Sequence, residues 1–148
     1  MVLDASLALA WCFEDEKTDE TEEAHEFVMR KTAEIAVPAI FWTEVANGLL
    51  VGERRGRSTE EWTARCLEML RELHIREMSV APEKVLGMAR RHGLTAYDAG
   101  YLHLAVELGG SPLMTVDKRL RAAANELKLP LIPMEPLAKL KQEGEFMF

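Results

Sequence analysis

Two cysteines in 148 residues, Cys12 and Cys66, are too few for a disulfide framework, and neither belongs to a metal-ligand motif. They fit a reducing environment, as small apolar packers. Basic residues are also in short supply. Eighteen Lys and Arg against 25 Asp and Glu leave a formal charge of −7, which argues against a conventional, basic nucleic-acid-binding module. No apolar run approaches the length needed to cross a bilayer, so no membrane association is expected. Low-complexity tracts are missing, and so is a glycine-rich phosphate loop. An acid stands at position 4, where a secretory signal would carry basic residues. The cytoplasm is therefore the expected compartment.

What is there is an ordinary globular composition, 48% hydrophobic, enough for one domain over 1–148 with a real core. Residues 1–4 read as a short buried strand and 6–13 as a helix. The acids at 19–22 open a second helix, which runs to about Lys31. A strand over 34–37 stops at Pro38. Residues 40–53 form the next helix, with apolar positions 41, 42, 45, 46, 49 and 50 at helical spacing. Gly48 is expected to leave space over Glu44. Ser58, with Glu61 in the reciprocal position, caps a helix ending near Leu73. Then follow a strand at 75–80, a helix from Pro82 to Gly93, and a helix over 95–108. A strand at 112–116, a helix at 117–127 and a strand at 131–132 complete the series. The tail from about 135 is peripheral, with an amphipathic turn or two, and it ends in the aromatic stretch Glu145–Phe148. Strands alternating with helices, joined by connections too long for hairpins, mean α/β: about five parallel strands with helices on both faces.

Charge is clustered. Seven acids crowd positions 14–23. Arg54-Arg55-Gly56-Arg57, Arg90-Arg91-His92 and Lys118-Arg119-Leu120-Arg121 each read as a solvated face or a helix end. The last follows Asp117 directly, where a backbone phosphate would be held beside a metal.

Four other acids stand among apolar residues. Asp4 ends the first strand and Asp117 the strand that begins at Leu113. Glu44 and Asp98 lie near the starts of two apolar helices. In an open parallel sheet, ligands bind beyond the carboxyl ends of the strands, where strand order reverses, and all four belong at that edge. Each also has a structural role available. Thr95-x-x-Asp98 matches a capping box, Asp117 can cap the helix after it, Asp4-Ala-Ser6 can form an Asx turn, and Glu44 can bond an arginine. As a set they are harder to explain. Carboxylates gathered at one edge raise each other's pKa values, and burying them unpaired costs several kcal/mol each by the usual estimates. A hard divalent cation, Mg2+ or Mn2+, would neutralise them and keep waters for chemistry. Ser6 and Thr115 place hydroxyls two residues from Asp4 and Asp117. Such a site suits phosphodiester hydrolysis.

Asp4-x-Ser6, Glu44 in an apolar helix, Thr95-Ala-Tyr-Asp98-Ala-x-Tyr101 and Thr115-x-Asp117-Lys-Arg-Leu120 together resemble the PIN-domain nucleases. Among these the chain is most similar to the VapC-type toxin ribonucleases of prokaryotic toxin–antitoxin pairs. The resemblance covers nearly the whole chain, in the same order. It implies a PIN-like (Rossmann-like) three-layer sandwich, Mg2+- or Mn2+-dependent endoribonuclease activity on RNA, and commonly a homodimer held by a cognate antitoxin. By the same resemblance, Asp4, Asp98 and Asp117 are metal ligands, directly or through water, and Glu44 completes the shell or orients the attacking water. Ser6 and Thr115 support them, and Asn47 touches substrate or holds a carboxylate. His103 departs from the pattern and reads as a helix-face residue near the dimer contact. An antitoxin would lay apolar side chains along a groove and set an arginine among the acids. A PIN nuclease of RNA processing without an antitoxin fits the same residues. A non-catalytic module on this fold predicts a lost acid, and all four are present. A phosphotransfer domain would want a second acid at position 6, where Ser6 stands.

Overall fold

The computed structural model describes residues 1–30 and 34–134. The expected amphipathic tail from 135, the Glu145–Phe148 stretch and the Lys31 helix end lie outside them. Five short strands, β1 (Val2–Leu3), β2 (Ile35–Pro38), β3 (Ile75–Met78), β4 (Leu113–Met114) and β5 (Leu131–Ile132), form one parallel sheet in the order β3-β2-β1-β4-β5. Seven α-helices connect them: α1 (Ala5–Cys12), α2 (Asp19–Arg30), α3 (Phe41–Arg54), α4 (Glu60–Glu72), α5 (Pro82–His92), α6 (Ala96–Glu107) and α7 (Lys118–Glu126). A 3-10 turn over Glu14–Glu16, not expected from the sequence, links α1 to α2.

The chain first steps outward from β1 through β2 to β3, then crosses back over β1 to β4 and β5. Right-handed crossovers in opposite directions put α1–α4 on one face of the sheet and α5–α7 on the other, an α/β three-layer sandwich. The central strands are buried on both faces and correspondingly apolar, as a parallel sheet demands. The edge strand β3 is half-exposed and carries Arg76 and Glu77, charges that discourage edge-to-edge pairing. Helix α6, apolar on nearly every side, buries Ala99 to Leu102, Leu104 and Ala105, and packs on β1, β2, α5 and α7.

Local signals act as their chemistry requires. Pro82 opens α5, and Gly93, at φ 62°, closes it in the left-handed conformation. Thr95 caps α6 by accepting the Asp98 N–H. Two expectations are corrected. The cap of α4 is Thr59, which accepts the Trp62 N–H, and Ser58 is one residue early. Gly48 leaves no opening over Glu44: a Cβ there would run into the Leu9 side chain, so this glycine lets α1 and α3 approach.

Candidate active site

The strand order reverses between β1 and β4, and the carboxyl ends of these two strands carry Asp4 and Asp117. Asp4 continues the ladder, its N–H donating to the Met114 carbonyl at 2.9 Å. It is also the N-cap of α1, but its side chain makes no capping bond. Instead the Ser6 and Thr115 hydroxyls both donate to its Oδ2, at 2.5 and 2.7 Å. Each hydroxyl has one proton. With both protons on Asp4, the 3.1 Å contact between Ser6 and Thr115 is only an approach of two oxygens. The hydroxyls also accept, Ser6 from the Val116 N–H at 3.3 Å and Thr115 from the Asp117 N–H at 3.0 Å. Asp4 and Thr115 are both buried. Desolvation pushes the Asp4 carboxyl up to about 6, against the pull of its two hydroxyl donors, and the charges of Asp98 and Glu44 push it further the same way.

Glu44 lies in the first turn of α3, half-buried, and accepts the Tyr101 hydroxyl proton at 2.7 Å. The partner is thus a tyrosine of α6 and not the arginine weighed from the sequence. Burial raises the Glu44 pKa, opposed by Tyr101 and helped by Asp98. Burial also raises that of Tyr101 itself, with the Glu44 bond adding to it. Asp98, one turn before Tyr101 and on the same side of α6, is raised by burial first and then by Asp117. The Thr95 hydroxyl and Arg119 pull it back. Asp117 caps α7 by accepting the Leu120 N–H at 2.9 Å.

The four acids therefore occupy one edge and share one electrostatic field, from Glu44 and Asp4 through Asp98 to Asp117. They do not form a closed cage. Among the described residues, no three His, Cys, Asp or Glu groups come close enough to hold an ion by themselves. Every donor here is an oxygen, with no thiolate or imidazole in the set, which suits a hard cation. Mg2+ commonly takes one or two carboxylates directly and completes its shell with water, so this donor set fits that habit and not direct ligation by all the acids together.

Of the supporting residues, Ser6 and Thr115 are on Asp4, whereas Asn47 is exposed and hydrogen-bonds none of the carboxylates. The histidines lie elsewhere. His92 meets Glu126, His103 meets Glu107, and His25 stacks on Trp11. Sequence reasoning gave Tyr101 no role, although its position one turn after Asp98 was a usable signal. It also placed Arg121 in a surface cluster, and Arg121 is fully buried. Its spacing beside Leu120 and three residues before Ala124, on the inner face of α7, was the signal for that.

Comparison with known proteins bears on the family and the fold. A family model described as PIN domain matches residues 1–126. Ribonuclease VapC3 of Pyrobaculum aerophilum is 32% identical over 124 residues, which is 81% of this chain and 91% of that protein. The crystal structure of PAE2754, also from Pyrobaculum aerophilum, superposes with a TM-score of 0.62 at 26% identity, covering 82% of this chain and 84% of that one.

Proposed function

The chain belongs to the PIN-domain family and, within it, to the VapC-type ribonucleases, and from that premise we propose that it is a Mg2+- or Mn2+-dependent endoribonuclease, the toxin of a toxin–antitoxin pair. The observation that carries this reading is the Asp4 carboxylate: buried at the strand-order switch, hydrogen-bonded by two hydroxyls, and left in the field of Glu44 and Asp98 with no basic partner among the described residues. Such a charge has little reason to be there unless a cation joins it.

Asp4, Asp98 and Asp117 would hold the ion, directly or through water, and Glu44 would complete the shell or orient the attacking water. When bound, the ion would activate water and stabilise the leaving oxygen of a phosphodiester. The chain's own residues do the rest. Ser6 and Thr115 hold one Asp4 oxygen and so fix the direction of the other. Tyr101 holds one Glu44 oxygen in the same way, which leaves the second to orient water or take a proton; burial raises the Glu44 pKa, which makes it a better proton acceptor. Lys118 and Arg119, exposed in the first turn of α7, flank Asp117, where the RNA backbone would pass.

The partners follow from the family: an RNA substrate, a second copy of the chain, and a cognate antitoxin that sets an arginine among the carboxylates. For an antitoxin segment with apolar side chains, the supporting feature is a surface cavity of about 510 Å³ with Phe13 and Trp62 in its wall, alongside the charged Glu14, Asp15 and Arg57. Among the described residues no helix is long and apolar enough to cross a membrane; the cytoplasmic location is proposed from the family.

The test is cleavage of total cellular RNA by the purified, partner-free protein in Mg2+ or Mn2+, with EDTA and Asp98→Asn as controls. Contaminating ribonucleases are untouched by the substitution. Discrete fragments that disappear in both controls support the nuclease. Cleavage unchanged in Asp98→Asn, or no cleavage together with no divalent-ion binding, would overturn it in favour of a binding module.

A further inference from the structure

Arg121 lies on the inner face of α7, one turn after Asp117, with none of its surface exposed. A buried guanidinium ordinarily sits against a carboxylate. Among the described residues its hydrogen bonds go elsewhere: Nη1 donates to the Thr115 carbonyl at 2.7 Å and Nη2 to the Pro133 carbonyl at 2.6 Å. Its Nε is buried with no partner among the described residues. Burial pulls its pKa below the ordinary value.

The two carbonyls lie at the open end of the β4–β5 pair. Met114 and Ile132 are the last residues in register, and the Thr115 N–H bond to the Ile132 carbonyl is the last rung. Beyond it β5 continues into Pro133, which has no N–H to offer. The guanidinium supplies the missing donors and ties the two strand ends together. Thr115, gripped in this way by its carbonyl, is also the residue whose hydroxyl donates to Asp4 and accepts from the Asp117 N–H.

We infer that Arg121 is a positioning residue of the acidic site: by holding the Thr115 peptide against the end of β5, it sets the spacing of Asp4 and Asp117, carboxylates from two different strands. The guanidinium's hydrogen bonds go to neither carboxylate, and the Arg121 backbone N–H bonds only the Asp117 carbonyl, as a helix rung. The side chain acts through Thr115, as the groups behind metal ligands commonly do. The inference rests on the nuclease reading, and its test separates the two.

Arg121→Met keeps the apolar stem and removes every donor; Arg121→Lys keeps a charge but reaches one carbonyl at best. The readout is Mn2+ affinity of the initially metal-free protein, by electron paramagnetic resonance of free Mn2+, with kcat and KM on RNA measured separately. Leu70→Ala, a buried change in α4, matches the loss of stability away from the site. The expected result is an Mn2+ dissociation constant raised about 10- to 100-fold in Arg121→Met, with kcat lowered, KM for RNA little changed, and Leu70→Ala leaving Mn2+ affinity at the wild-type value. Combined with Thr115→Val, Arg121→Met should add little further loss, because both act through one residue. Unchanged Mn2+ affinity in folded Arg121→Met, an equal shift in Leu70→Ala, or additive losses with Thr115→Val would each overturn the inference. If Arg121→Met fails to fold, Arg121→Lys decides: a several-fold rise supports it and wild-type affinity overturns it. A wild-type protein that binds no Mn2+ would sink the nuclease reading and this inference with it. Equal binding by wild type and variants sinks this one alone.

Discussion

Asp4 and Asp117 occupy equivalent places. Each is at the carboxyl end of a central strand, each has extended backbone (φ −83°, ψ 145° and φ −70°, ψ 123°), and each is the N-cap of the following helix. Their side chains nonetheless go different ways. Asp117 turns onto its own helix and accepts the Leu120 N–H, the ordinary use of an aspartate at this position. Asp4 leaves the first amides of α1 without a side-chain cap and turns inward onto Ser6 and Thr115. A cap that is declined costs stability, and a carboxylate buried in the same act costs more. The contrast separates an acid whose position explains itself structurally from one whose position does not, and it makes Asp4 the most informative residue of the set.

Breaking the comparison at Asp4 should have the largest effect. Asp4→Asn keeps the size and an acceptor for the two hydroxyls but removes the charge. Cleavage of RNA should fall on the order of 10²–10³-fold, the scale for losing one preorganised charged group, measured as kcat/KM on a defined cleaved fragment. Without a divalent ion the same substitution should stabilise the fold. A carboxyl pushed from 3.8 to about 6 by burial represents roughly 3 kcal/mol against the ionised native state. Thermal melting of metal-free Asp4→Asn at pH 7 should therefore show a gain of about 1–3 kcal/mol, reduced by whatever the amide leaves unbonded. Lost activity with gained stability is the signature of a functional charge; a loss of both would mean that Asp4 is structural.

The pH dependence sharpens this further, and its sign is opposite to that of a salt-bridged aspartate. Between the ordinary value of 3.8 and about 6, the folded protein keeps a proton on Asp4 that the unfolded chain has released. The native state then binds more protons than the unfolded one, so stability falls as pH rises through that window and is level above it. Burial acts in the same direction on Glu44 and Asp98. Urea titrations of metal-free protein from pH 4 to 7 should show this slope, and Asp4→Asn should flatten it. Saturating Mn2+ at pH 7 should restore what ionisation took away, by about 2.7 kcal/mol at a hundredfold excess over the dissociation constant.

How much of this was readable in the sequence follows from the range of each signal. Strand–acid–helix at residues 2–6 and 113–118, the Thr95 cap, Pro82 and Gly93 are all contained within a few residues, and they stand as expected. Ser58 and Thr59 are adjacent and both able to cap, so local chemistry could not choose between them. Contacts closed by the fold were out of reach. Tyr101 meets Glu44 across 57 positions, and Thr115 meets Asp4 across 111. Leu9 fills the space that Gly48 was expected to leave over Glu44. Arg121 misled for a different reason: its sequence neighbours Lys118 and Arg119 are exposed, and composition outweighed the helical spacing that turns it inward.

At Asp117 the comparison predicts a clean division by substitution. Asp117→Ala removes both the cap and the charge, and should cost about 1 kcal/mol of stability. Asp117→Asn keeps the cap, because an amide oxygen accepts the Leu120 N–H as well as a carboxylate does, so its melting point should stay near that of the wild type. Activity should fall in both if the charge takes part in ion binding. Equal melting points for the two variants would mean that the cap bond contributes nothing and that Asp117 is no more explained by its helix than Asp4 is.

The smallest effect is expected at Tyr101→Phe, which removes one hydroxyl and little else. The lost bond to Glu44 should cost about 1 kcal/mol, visible as a small drop in melting temperature. Glu44 then loses the donor that favoured its ionised form, while burial and Asp98 still act on it. Its pKa should rise further, and the acid limb of the pH–rate profile should move to higher pH while the rate at high pH changes little. A limb that stays in place would take Glu44 out of the reaction and leave Tyr101 as a tie between α3 and α6. A limb that moves would mean that a tyrosine of α6 tunes the reaction through its hydrogen bond to Glu44.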